Sequence, residues 1–107
     1  MYKFVLATFP FTEKVGKKIR PVLLLTDGSY GRHKIVIVAY VTSRGGEKIA
    51  SEVMVEATEG NRLKKTSTIK LHKLVNIPES AIKGGLGELS AEKGIEVQNK
   101  LKKLLQL

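Results

Sequence analysis

RPVLLLTDGSYGRHKIVIVAYVTSR, residues 20–44, is the stretch that decides the fold. Its two runs Val22–Leu25 and Ile35–Val41 are nearly all apolar, as expected for strands covered on both faces or for the central strands of a barrel. Between them, Asp27-Gly28-Ser29-Tyr30-Gly31 supplies residues that tolerate positive φ, so the link predicts a tight reversal and an antiparallel pair.

Outward from this pair, short β-branched runs alternate with Gly, Asp, Asn and Ser. Strands are expected at Lys3–Phe9, Pro21–Thr26, Lys34–Thr42, Ile49–Ala57 and Ser67–Leu71, with a short one at Leu74–Ile77. In the fourth of these, Val53, Val55 and Ala57 alternate with Glu52, Met54 and Glu56, which sends the first set inward and the second outward. The chain closes with a helix starting at Ser90 or Ala91. Ser90 is a good N-cap, Glu92 lies in the first turn, and Lys100, Lys102 and Lys103 crowd the last turns, where the helix dipole favours cations. Val97, Leu101, Leu104 and Leu105 form one stripe that would dock on the sheet or on a second subunit, and Gly94 weakens the helix modestly. The reading is mainly β with a C-terminal helix, a small barrel of five to seven strands forming a single domain over residues 1–107.

At 107 residues the chain has room for one core and no second domain. With 42% apolar residues and a mean hydropathy near zero, it reads as an ordinary globular protein. No apolar run approaches the roughly 18 residues that span a bilayer, and Met1-Tyr2-Lys3-Phe4 enters a strand without a signal-peptide pattern, so a cytoplasmic protein without a membrane partner is expected. Zero cysteines exclude disulfides and thiolate metal sites, and two histidines far apart in sequence argue against zinc. The expected chemistry therefore uses no metal and no cofactor.

Charge points to a partner. Nineteen Lys and Arg against ten Asp and Glu give +9, and +6 of this falls in residues 1–50. A polyanion is the natural ligand, set against the plainer reading of a solvated basic surface.

Three clusters could carry such chemistry. The first is the loop Pro10–Ile19, with Lys14, Lys17 and Lys18, ending at Arg20-Pro21 where a strand begins. Pro21 is tolerated at a strand start and pins the backbone that carries Arg20, whose guanidinium could grip a phosphate bidentately; capping of local carbonyls is the alternative. The second is Thr42-Ser43-Arg44-Gly45-Gly46 at the end of a strand, suited to an oxyanion but equally to a turn. The third follows Arg62, Lys64 and Lys65, where Lys70 and His72 alternate with Ile69 and Leu71. A lysine and an imidazole on one strand face could bind phosphate or move a proton, or could be exposed without a role. His33, in the turn, reads as structural or incidental.

VLATFPFTE, KKIRPVLLLTDG, IVIVAYVTSR, LKKTSTIKLHKLVNIPES and GLGELSAE, in that order and over nearly the whole chain, resemble the MazF/PemK family of toxin endoribonucleases. The resemblance implies an SH3-like β-barrel with a C-terminal helix, a homodimer, metal-independent cleavage of single-stranded mRNA within a short motif, and an acidic antitoxin as partner. It implies catalytic roles for Arg20 and Thr42, and the neighbouring basic and hydroxyl side chains Lys17, Lys18, Ser43, Arg44 and Lys70 are expected to contact the RNA. Some family members carry an Arg and an Asp as acid and base where this chain has Lys70 and His72, which makes His72 the candidate general base. The Gly-Asp pair usual before the first apolar run is replaced by Tyr2-Lys3-Phe4. Two other readings remain at this stage. One is a gyrase-poisoning toxin of the same fold, similar to CcdB, although the chain has no Trp near its Leu105-Gln106-Leu107 end. The other is a non-catalytic nucleic-acid-binding module, for which six Phe and Tyr offer little base stacking.

Overall fold

The computed structural model of the chain describes residues 2–8, 18–27, 34–43 and 49–107. Within these lie strands β1 (Lys3–Thr8), β2 (Ile19–Leu24), β3 (Ile35–Thr42), β4 (Glu52–Val55), β5 (Ser67–Pro78) and β6 (Ile82–Glu88), followed by helix α1 (Ala91–Leu105). The expected turn Gly28–Gly31, His33, Lys14, Lys17 and Arg44 lie outside the described residues.

The strands form one antiparallel sheet in the order β4-β5-β3-β2-β1-β6, and the two apolar runs of the deciding stretch are neighbours near its centre. Period-two alternation divides their side chains between two cores. Phe4, Leu23, Ala39, Val53, Ile69 and Leu71 form one cluster, closed by Val97 of α1. Val5, Ala7, Val22, Val36, Val38 and Ile77 form the other. The expectation of double coverage holds for Val22, Leu23, Val36, Val38 and Ala39, whereas Ile35 and Ile37 are exposed.

β4 and β6 remain as edges, so the sheet does not close into a hydrogen-bonded ring. The turn after β4 spans the gap. The Glu88 N–H donates to the Gly60 carbonyl at 2.9 Å, and buried Asn61 locks the turn from within. Its side-chain oxygen accepts from the Thr58 and Leu63 N–H groups at 3.0 Å each, and its amide donates to the Glu56 carbonyl at 2.8 Å. Gly87 completes the seam because a Cβ there would meet the backbone of Gly60 and Asn61.

The helix begins as its residues dictate: Ser90 caps it by accepting from the Lys93 N–H at 3.2 Å. Val97 is fully buried and Leu101 packs against the same core, while Leu104 and Leu105 stay exposed, so only the first half of the apolar stripe docks on the sheet. Burying a side chain like Val97 contributes about 1.5–3 kcal/mol. Lys100 adds a tether, its ammonium donating to the Glu52 carbonyl at 2.8 Å.

Three elements differ from the sequence expectation. Ser67–Leu71 and Leu74–Ile77 are one strand, β5, broken by a bulge: Tyr40 pairs with Lys70 but Ala39 with Leu74, leaving Leu71, His72 and Lys73 as extra residues. β6 was not expected, because its sequence IKGGLGE has neither β-branched enrichment nor alternation. Glu52 is buried, not outward-facing, because it sits between β5 and the α1 tether and carries an ion pair; Met54, two residues on, is 48% exposed as expected.

Candidate functional site

Arg20 is the second residue of β2 and Pro21 the third, so the strand starts one residue before Arg20 and not at Pro21 as the sequence suggested. On one side the strand stays paired, Arg20 with Ala7 and Pro21 with Leu6. On the other, the ladder to β3 ends at Val22–Tyr40, next to the residue that has no N–H to extend it. Arg20 on β2 and Thr42 on β3 each lie two residues beyond that last pair. Thr42 is itself the last residue of β3 and pairs with Thr68 of β5. The two residues singled out from separate segments thus lie at the same end of the sheet, on the face opposite α1.

One step along β3, still on that face, is Tyr40, with Lys70 as its cross-strand partner. Lys70 pairs in turn with Glu52 of β4, and its ammonium lies 3.8 Å from the Glu52 carboxylate. Lys73 stands over the Tyr40 ring, its ammonium 5.9 Å from the centroid, which is a cation–π geometry. Lys18 and Ser43 are exposed at the two strand ends that carry Arg20 and Thr42. The result is a hydroxyl and a guanidinium at the strand ends, with ammonium groups beside them. This set suits a phosphodiester in which negative charge must be held while a bond is made or broken.

His72 is placed differently. It lies within the bulge of β5, exposed, and its Nδ1 is hydrogen-bonded to the Ser51 hydroxyl at 2.9 Å, on the β4 side of the strand. The Ser51 carbonyl also accepts from the Leu71 N–H at 2.9 Å, so the segment before β4 holds the bulge by backbone and side chain together. With Nδ1 engaged, Nε2 is the nitrogen that faces outward chemistry.

The sequence reading did not single out Tyr40, Glu52, Ser51 or Lys73. For Tyr40 the signal was present, since a residue two before Thr42 on a strand shares its face. Lys73 and Ser51 depend on the bulge, which leaves no sequence mark. Among the described residues no three His, Asp or Glu side chains converge as metal ligands, and no helix is long and apolar enough to cross a membrane.

An open six-stranded antiparallel sheet with a terminal helix on one face is a fold shared with a group of solved toxin structures. The Mycobacterium tuberculosis toxin MazF-mt6 superposes with a TM-score of 0.77 at 24% identity, over 98% of this chain and 97% of that one. A mycobacterial endoribonuclease in complex with its cognate antitoxin gives 0.75 at 15% identity, covering 98% and 92%. A further Mycobacterium tuberculosis toxin gives 0.67 at 27% identity, covering 78% and 90%. No curated protein sequence matches the chain. The family model for the PemK-like, MazF-like toxin of type II toxin-antitoxin systems matches residues 2–105, and the chain belongs to that family.

Proposed function

We propose that this toxin is a metal-independent, sequence-specific endoribonuclease that cleaves single-stranded mRNA. The observation that supports the proposal is that Arg20 and Thr42 each lie two residues beyond Val22–Tyr40, the last pair of the β2–β3 ladder. In the reaction the ribose 2′-hydroxyl gives up its proton and attacks the adjacent phosphorus, forming a 2′,3′-cyclic phosphate and breaking the bond to the 5′-oxygen, which takes a proton from water as it leaves. Negative charge builds on the phosphoryl oxygens. Arg20, always protonated and anchored by Pro21, stabilises it, and Thr42 orients the phosphate or the nucleophile. His72 is the candidate to take the 2′-hydroxyl proton through Nε2. Lys17, Lys18, Ser43, Arg44 and Lys70 serve as RNA contacts.

The partner in the cell is an acidic antitoxin, in keeping with the +9 charge and with the antitoxin-bound relative of the same fold. Its acidic segment would neutralise the Lys17, Lys18 and Arg20 region. A cytoplasmic homodimer is the form in which we expect the protein to act.

The test incubates purified protein with a long RNA in excess EDTA, beside Arg20→Ala and Thr42→Ala. Cleavage in EDTA by wild type and its loss in both variants is the expected result. Abolition by EDTA, or full activity in Arg20→Ala, refutes the mechanism.

A further inference from the structure

Tyr40 and Thr42 leave the same face of β3, two residues and so roughly 6.7 Å apart along the strand. That separation is about one nucleotide step of an extended single strand, so a chain whose scissile phosphate lies between Arg20 and Thr42 would bring its next phosphate to Tyr40.

Two lysines wait there, and the bulge is the reason. In an unbroken strand, residues three apart point to opposite faces. Leu71, His72 and Lys73 are inserted opposite the Ala39–Tyr40 step, which returns Lys73 to the side already occupied by Lys70. Lys70 is then beside Tyr40 in register, and Lys73 is above its ring at 5.9 Å. Each ammonium has a neighbour in the fold. The Glu52 carboxylate, its side chain only 4% exposed, lies 3.8 Å from the Lys70 ammonium, and the Tyr40 ring centroid lies 5.9 Å from that of Lys73. Lysines on a wet surface normally spread over many rotamers, and restraining two of them beside one ring lowers the entropy lost when an anion arrives.

We propose that Lys70 and Lys73 form a second phosphodiester subsite, holding the phosphate adjacent to the scissile one, and that Tyr40 is its positioning residue, acting through Lys73. The subsite rests on the endoribonuclease reading above.

The experiment measures binding of a single-stranded 2′-O-methyl oligonucleotide, which lacks the nucleophile and stays intact, as a function of salt concentration. Each phosphate contact on a single strand contributes about 0.7 to the slope of log affinity against log salt. Lys73→Ala is expected to lower the wild-type slope by that amount. Tyr40→Leu should lower it in the same sense, and Tyr40→Phe, which keeps the ring, should restore it. Lys102→Ala, on the exposed last turn of α1, should leave it unchanged. An unaltered slope in Lys73→Ala overturns the subsite while leaving the nuclease reading intact, as does an equal drop in Lys102→Ala. Salt-independent or undetectable binding by the wild type overturns the basic RNA site itself, and the subsite with it.

Discussion

Arg20 and Thr42 each lie two residues beyond Val22–Tyr40, the last pair of the β2–β3 ladder, which stops beside Pro21. If both act on one phosphoryl group, removing either disrupts the same transition state, and their effects should not multiply. Arg20→Ala and Thr42→Val are each expected to lower kcat by roughly 10²–10³-fold. The double variant should be little worse than the weaker single one. Thr42→Ser, which retains the hydroxyl, should stay near wild type. Single-turnover cleavage of a fixed RNA measures all four, and fully multiplicative losses would mean that the two residues serve separate steps.

His72 provides a second handle, because Ser51 occupies its Nδ1 at 2.9 Å and leaves Nε2 for proton transfer. A general base contributes about 10²–10⁴-fold. His72→Ala should therefore slow cleavage within that range. Ser51→Ala should slow it less, since the base is kept but the ring loses the group that fixes its orientation. A single-turnover rate for His72→Ala equal to wild type would assign the 2′-hydroxyl proton to another group.

How much of this was legible in the sequence follows the period of each segment. Val22–Leu25 and Ile35–Val41 announced the centre of the sheet because burial on both sides leaves an apolar run, and Ser90 announced the helix because a cap is a local event. The relation of Arg20 to Thr42 was half legible: each was singled out alone, but that both stand at one end of the sheet follows from the β2–β3 register. β6 was not legible. Its glycines serve the close approach at Gly87 and its partners across the gap, a tertiary demand that overrides strand propensity. Nor was the β5 bulge, so Lys73 gave no sign that it shares a face with Lys70.

Gly87 gives the sharpest stability prediction. A methyl group there would sit 2.6 Å from the Asn61 carbonyl oxygen, and the colliding atoms belong to backbone held by three Asn61 side-chain hydrogen bonds. That turn is poorly placed to give way. Gly87→Ala should cost about 3 kcal/mol, whereas Gly84→Ala and Gly85→Ala, where added methyl groups meet open space, should cost under about 1 kcal/mol. Urea denaturation of the three variants decides it. Equal midpoints would show that the strap across the sheet edges is not rigid.

Glu96 carries the pH dependence that the helix adds. Its carboxylate accepts from Lys100 at 3.0 Å and from Lys93 at 3.3 Å. The Lys100 hydrogen bond holds its pKa below the ordinary value of 4.5, with Lys93 assisting and partial burial opposing. A carboxyl depressed in the folded state stabilises fully above its unfolded pKa, and that contribution fades as pH falls through the folded value. The carboxylate is partly solvated, so the pair contributes about 0.3–0.5 kcal/mol at neutral pH, reinforced because Lys100 also ties α1 to the Glu52 carbonyl at 2.8 Å. Glu96→Gln should therefore be less stable than wild type at pH 7 by about this amount, and the gap should close in acid, below the ordinary carboxylate range. Paired urea titrations of the two proteins at neutral and acid pH measure the gap directly, and a gap that persists undiminished in acid would trace the effect to packing, not charge.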